Sequence, residues 1–327
     1  MKIIDAHAHI FIPEAFEDVL SKYSNDIPKI TNLEKNRASM KIGDKTTSDL
    51  PFALFSVNDR LQQMNEENID MQLLSMFPAL FFYNLDAEEA NLFIQKHNDA
   101  ILNLTRDYKG YFMGLGTVPL QDIDKAIKEL ERIIKMGLVG AEIGSNVNGT
   151  LLGDPKFFPF FEAAEKLNAL LFVHPSNPIG SEKIKSFNLD VYVGNACDTT
   201  LAIASMMFNG VFDRFTELKI YFAHGGGFLP YQIGRLDDAY LIEENIKKQI
   251  HNLPSHYLSK ILVDTVVYDF KALEFLVRQM PVENVLLGSD SPMDMLDKDI
   301  VNKIMKLKIS EEKKELILGK NVKKLLS

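Results

Sequence analysis

A closed α/β barrel of eight β/α units, the (β/α)8 or TIM barrel, with an insertion after its first strand, is the fold that this sequence predicts. Three observations carry the prediction. Eight short apolar runs recur along the 327 residues at intervals of a few tens. Stretches with helical periodicity separate them. Histidine or aspartate closes several of the runs, and the C-terminal ends of the strands are where such barrels carry their active sites.

The eight runs cover residues 3–9, 69–77, 111–118, 140–145, 169–174, 219–224, 260–267 and 285–290. They are continuous, not alternating, as parallel strands covered on both faces must be. Between them, 122–136 sets Ile123, Ala126, Ile127, Leu130, Ile133 and Ile134 on one helical stripe. Segment 154–168 opens with Asp154 at a cap position and Pro155 in the first turn. Segments 88–107, 198–208, 270–280 and 310–326 read as further helices. Strand–helix alternation in eight units closes on itself as one parallel barrel, so residues 1–327 are expected to form a single domain. Residues 11–56 break the rhythm. They are long, polar in the middle and directly follow the first strand, which places them over the active-site face. The segment reads as a lid or substrate-facing insertion, with a plain surface loop as the alternative.

Composition narrows the function. Hydrophobic residues make up 46% of the chain and charged residues 25%, enough apolar material for one large core. A net charge of −9 argues against a nucleic-acid partner, which needs a basic stripe. Cys197 is the single cysteine, so no intrachain disulfide can form and a reducing compartment fits. The opening residues MKIIDAHAHIF lack the pattern of a signal peptide, and no apolar run reaches membrane-span length. A cytoplasmic enzyme without a membrane partner is the expectation.

The chemistry begins at Asp5-Ala6-His7-Ala8-His9. Side chains alternate along a strand, so Asp5, His7 and His9 are expected on one face, pointing into the barrel. Two buried histidines on one strand are costly unless something binds them. His174 ends the fifth run, His224 the sixth and Asp290 the eighth. Three imidazoles, His7, His9 and His174, with the Asp290 carboxylate make a donor set for one divalent ion, expected to be Zn2+. His224, followed by Gly225-Gly226-Gly227, is placed beside the metal as the proton-handling group, and Asp290 can also move a proton. Asp5 either orients a ligand histidine or holds the barrel floor. Glu142, inside its run, either bridges a second metal or, the preferred reading, is structural and paired with a basic side chain or the floor. His97, His251 and His256 read as surface residues.

These segments, with DRLQQMNEENIDMQLLS, GLGTVPLQD, FFEAAEKLNALLFVHP, VFDRFTELKIYFAHGGGFLPYQIGR and VLLGSDSPM, resemble the amidohydrolase superfamily and its amidohydrolase-2 group over nearly the whole chain. The resemblance implies the same four metal ligands and His224 as catalytic histidine. It also implies that Arg235 helps hold a substrate carboxylate, in a neighbouring subunit's site, and that the protein is a homodimer. Decarboxylase members of the group carry a second carboxylate-binding arginine twelve residues before the position of Arg60. Here that residue is Ser48, with Arg37, Lys41 and Lys45 nearby, and Met293 replaces an aromatic after the metal aspartate. The reading is a metal-dependent, non-oxidative decarboxylase of a small unsaturated or aromatic carboxylic acid. Hydrolysis of a lactone or amide substrate at the same ligands is the alternative, and an inactive metal-holding binding protein the alternative of another kind.

Overall fold

The structure, a computed structural model, describes residues 1–19, 28–32, 37–42 and 45–326. Eight parallel strand positions form a ring: β1 Ile4–Ile10, β2 Met71–Met76, β3 Phe112–Gly114 continued by Gly116–Thr117, and β4 Gly140–Gly144. They are followed by β5 Leu170–His174, β6 Ile220–Phe222, β7 Leu262–Asp264 and β8 Val285–Leu286. Each pairs in parallel with the next. The ring closes between β8 and β1, where Ala6 N donates to Leu287 O at 2.8 Å and His9 N to Ser291 O at 2.7 Å. The TIM barrel predicted from the eight apolar runs is the fold observed.

Along each strand one set of side chains faces inward and the other meets the helices. Phe172 and Tyr221 stack at 4.3 Å between ring centroids and, with Ile4, Ala6, Leu73 and Leu262, fill the barrel beneath the rim. Leu171, Val173, Ile220, Phe222 and Val263 pack outward into the main core. The helix Ile123–Met136 buries Ala126, Leu130 and Ile133 from the predicted stripe and ends at Gly137, whose φ of 113° is a left-handed stop. Asp154 does cap its segment, but the first turn, Pro155–Phe157, is a 3-10 turn before the helix Phe158–Lys166.

One expectation changes, and of the two readings of the insertion the plain loop falls away. Segment 310–326 is not one helix: Glu311–Glu315 and Asn321–Leu325 flank a wider turn at Leu316–Lys320. The break occurs where Gly319 passes so close to β1 that an added Cβ would lie 2.5 Å from the Lys2 carbonyl oxygen. The insertion is not a plain loop. Lys29–Asn32, Arg37–Ile42 and Lys45–Pro51 make an antiparallel three-stranded sheet. Ala38, Met40, Leu50 and Leu54 are buried in it or at its root, so its apolar positions were masked in sequence by the polar residues between them. Among the described residues no helix is long and apolar enough to cross a membrane.

His97 is a correction. It is fully buried and accepts a hydrogen bond from Ile12 N at 3.2 Å, with its ring stacked on Phe11 and Phe16. Ala90, Phe93, Ile94, His97 and Ile101 share the buried face of Ala87–Asp107, a spacing visible in the sequence. His251 and His256 are exposed, as expected. Burial lowers the His97 pKa to about 3 from 6.5. Between those values the unfolded chain holds a proton that the folded chain does not, so stability is lost as pH falls through that window. We expect His97→Gln to flatten this dependence. Denaturant unfolding across the window checks it, and an unchanged slope in the variant would exclude His97 as the source.

Candidate metal centre

His7 and His9 point into the barrel mouth from β1, and His174 enters it from the last residue of β5. His224 and Asp290 lie just past β6 and β8, in left-handed turns with φ of 57° and 64°. The turn at His224 continues through Gly225, Gly226 and Gly227, all left-handed. Side chains there have no room: a Cβ on Gly227 would lie 2.1 Å from the Ala196 carbonyl oxygen.

One potential donor atom from each of His7, His9, His174 and Asp290 falls within 4.8 Å of all the others, and all four residues are buried. Each outer ring nitrogen is held. His7 Nδ1 lies 2.6 Å from Asp264 Oδ2, His9 Nδ1 lies 3.2 Å from Ser75 Oγ, and His174 Nδ1 donates to Pro175 O at 2.8 Å. The three Nε2 atoms are thereby aimed at one point. His174 Nε2 is buried with no partner, and His7 Nε2 faces His9 Nε2 at 3.0 Å. Asp290 Oδ1 completes the cluster at 3.3 Å from His7 Nε2 and 3.5 Å from His9 Nε2. One inward nitrogen with no partner, and two that face only each other and a carboxylate, fit a divalent cation.

Electrostatics agree. Burial lowers His9 to about 4, and holds His174 well below its ordinary value with added repulsion from neighbouring imidazoles. His224 is lowered by burial too. Burial also acts against a charged His7, but Asp290 and Asp264 outweigh it and lift its pKa to about 10. Burial raises Asp290, yet His7 and the other imidazoles bring it well below the carboxylate range. A cation taking the place of the His7 Nε2 proton would leave His7, His9 and His174 all neutral, as ligand imidazoles must be, beside two carboxylates.

Two residues read differently from the sequence. Asp5 does not share a face with His7 and His9. The β1–β2 register slips between Asp5 and Ala8, so Ile4 and Ala6 join the inner cluster while Ala8 and Ile10 join the outer core. The carboxylate that orients His7 is instead Asp264, which reasoning from sequence missed. It also accepts from His224 N at 3.0 Å and Gly225 N at 2.8 Å, pinning the next loop. In sequence it lies inside the seventh run, 260–267, and only the observed strand ends at it, as β5 ends at His174. Glu142 is fully buried, pairs with no lysine or arginine among the described residues, and lies 3.7 Å from His9 Nδ1. Burial raises its pKa well above the ordinary value, which favours an uncharged acid.

Arg37 is not free to receive substrate. It grips Asp294 through Nη1 and Nη2, both at 2.7 Å, and donates from Nε to Asp49 at 2.8 Å. Lys41 is exposed, Met293 half-buried, and the side chains of Lys45 and Ser48 lie outside the described residues. Arg235 is exposed on the helix Leu229–Ile242, with no hydrogen bond or ion pair among the described residues.

The fold and the converging side chains define a barrel protein built around a buried histidine–carboxylate centre. Residues 4–327 match the profile of the family described as Amidohydrolase, and the chain belongs to that family. The 2-amino-3-carboxymuconate-6-semialdehyde decarboxylase of Dictyostelium discoideum is 35% identical over 329 residues, covering 99% of this chain and 91% of that protein. The 5-carboxyvanillate decarboxylase of Sphingomonas paucimobilis superposes with a TM-score of 0.83 at 24% identity, over 99% of this chain and 98% of that one. A dihydroxybenzoic acid decarboxylase from Polaromonas sp. JS666, solved with bound manganese and an inhibitor, superposes with a TM-score of 0.78 at 20% identity, over 99% and 96%.

Asp264→Ala frees the His7 ring to rotate and unpins the His224 loop. Divalent metal affinity, measured by competition with a chelator, is expected to fall roughly 10–100-fold. An unchanged affinity would show that His7 is oriented by packing alone.

Proposed function

We propose that this protein is a metal-dependent, non-oxidative decarboxylase, a carboxy-lyase acting on a small unsaturated or aromatic carboxylic acid. The observation that carries the reading is the convergence of His7, His9, His174 and Asp290 at the barrel mouth with His224 set beside them. The full-length likeness to a semialdehyde decarboxylase supports it. The four residues are the proposed ligands of one divalent ion. We take it to be zinc because three imidazole nitrogens and one carboxylate oxygen, with a position left for substrate, suit a catalytic zinc site. Elemental analysis decides between zinc and the manganese found in the Polaromonas enzyme.

When bound there, the ion supplies positive charge beside the substrate's oxygens and so stabilises the anion that forms as CO2 leaves. The chain's own residues do the rest. Breaking the carbon–carboxylate bond leaves an electron pair on the substrate carbon, which must then take up a proton. His224 is built to hold and move that proton. Its Nε2 lies 3.9 Å from Asp290 Oδ2, its Nδ1 is unpartnered, and its backbone is fixed by Asp264. Asp264 and Ser75 keep the ligand rings from turning. The insertion 11–56 is a substrate-facing cover, supported by the Arg37 grip on Asp294, four residues beyond Asp290. A cytoplasmic setting suits the exposed, unpaired Cys197.

Incubating the metal-loaded protein with a panel of carboxylic acids and lactones is expected to release CO2; ring opening without CO2 would establish hydrolysis instead. Within that assay His224→Ala should retain its metal and lose about 10²–10⁴-fold in turnover. Loss of metal as complete as in His174→Ala would make His224 a ligand.

The protein is further proposed to be a homodimer in which Arg235 reaches the partner's site. Phe187, Tyr231 and Ile242 are 89%, 77% and 76% exposed, large apolar surfaces that association would cover. An unpaired arginine can hold a carboxylate bidentately. Arg235→Ala should raise KM with metal content unchanged, and mixing it with a metal-ligand variant should restore part of the activity. A monomer fully active at every dilution by sedimentation and assay rules this out.

A further inference from the structure

Asp290 adopts a left-handed backbone although it is not glycine. That conformation costs an L-residue roughly 1–2 kcal/mol and lasts only where the surroundings enforce it. The residues on either side of it are both tied. Ser289 donates to Asp5 twice, from N to Oδ1 at 3.0 Å and from Oγ to Oδ2 at 2.7 Å. Ser291 N donates to Ser289 Oγ at 3.2 Å, and its carbonyl accepts from His9 N. Asp290 N itself donates to His7 O at 3.1 Å.

Asp5 is fully buried and does not touch any metal-site side chain. Its other two hydrogen bonds come from His7 N at 3.0 Å and from Gln72 Nε2 at 3.0 Å, so each oxygen accepts two. The Gln72 amide oxygen accepts from Arg60 Nη1 at 3.0 Å. A guanidinium only donates and a carboxylate only accepts, so the amide has one possible orientation between them. Arg60 Nη2 donates to the His9 carbonyl and, at 2.9 Å, to that of Ala53 at the root of the insertion. Arg60, Gln72, Asp5 and Ser289 are all 0% exposed. Arg60 is therefore out of reach of substrate, and it has no direct carboxylate contact among the described residues. A charge buried that way is costly and needs a reason to be there.

We infer that Arg60, Gln72 and Asp5 form a buried positioning relay that holds the segment Ser289–Ser291 from behind the barrel wall, fixes Asp290 toward His7 and His9, and joins the root of the insertion to the metal centre. The inference rests on the four-ligand reading above. None of the three residues touches substrate or metal. Their effect passes through the backbone on both sides of Asp290.

The test uses the full chain and Co2+ as probe. Gln72→Leu removes both ends of the amide link at similar volume, and Ser289→Ala removes only the hydroxyl. Co2+ affinity by chelator competition, the visible spectrum of the Co2+-loaded protein and the melting of the metal-free protein are compared with wild type. The relay predicts a 10–100-fold weaker affinity for Gln72→Leu, a smaller loss for Ser289→Ala, and an altered cobalt spectrum in both. Variants that bind Co2+ within about twofold of wild type with an unchanged spectrum overturn it, even if they melt earlier, because that is what a merely structural role predicts. If Gln72→Leu does not fold, Ser289→Ala decides alone. A wild-type protein that takes up no Co2+ overturns the metal centre itself, and the relay with it.

Discussion

His7 held between two carboxylates, Asp264 at one ring nitrogen and Asp290 at the other, is the interaction on which the rest of the site depends. It joins β1 to the ends of β7 and β8 inside a barrel whose interior below is apolar, where an unpaired charge would be very expensive. Asp264 fixes the ring, and two further hydrogen bonds that it accepts fix the loop that carries His224. One buried carboxylate thus sets the positions of both a proposed ligand and the proposed proton carrier.

The surroundings follow from having to keep such a cluster intact. Phe172 and Tyr221 stack beneath it, His7 packs edge-on to Phe172, and the Tyr221 hydroxyl donates to the Ala6 carbonyl. The floor is apolar, and the Tyr221 hydroxyl that enters it is satisfied. Behind the wall, the charged pair Arg60 and Asp5 is kept apart by Gln72, so polarity is carried to the β8–β1 seam without entering the mouth. That seam is where the barrel closes, and it is also where Asp290 stands. Closure of the fold and geometry of the site are therefore one problem here, not two.

Much of this was legible in the sequence. Period and continuity of the eight apolar runs fixed the fold class, because only strands buried on both faces read that way. Alternation along the first run paired His7 with His9, and the ends of later runs picked out His174, His224 and Asp290, since the rim is a property of topology. Asp264 lay inside its run and was overlooked among apolar neighbours. His97 sat on a helical stripe whose other members were all apolar or aromatic, and its residue type was taken as a surface signal where its spacing said core.

What the sequence determined by itself is the barrel and the identity of the converging donors, because hydrophobic period and strand-end chemistry are both local along the chain. Only the tertiary structure decided which face Asp5 takes, because a single-residue slip in β1 against β2 reverses the alternation and no local pattern records it. It also decided that Arg37 is spent on Asp49 and Asp294, that Arg60 is sealed in the wall, and that Glu142 faces His9 and meets no lysine or arginine among the described residues. Each of those outcomes depends on residues far apart in the chain, brought together only when the ring closes.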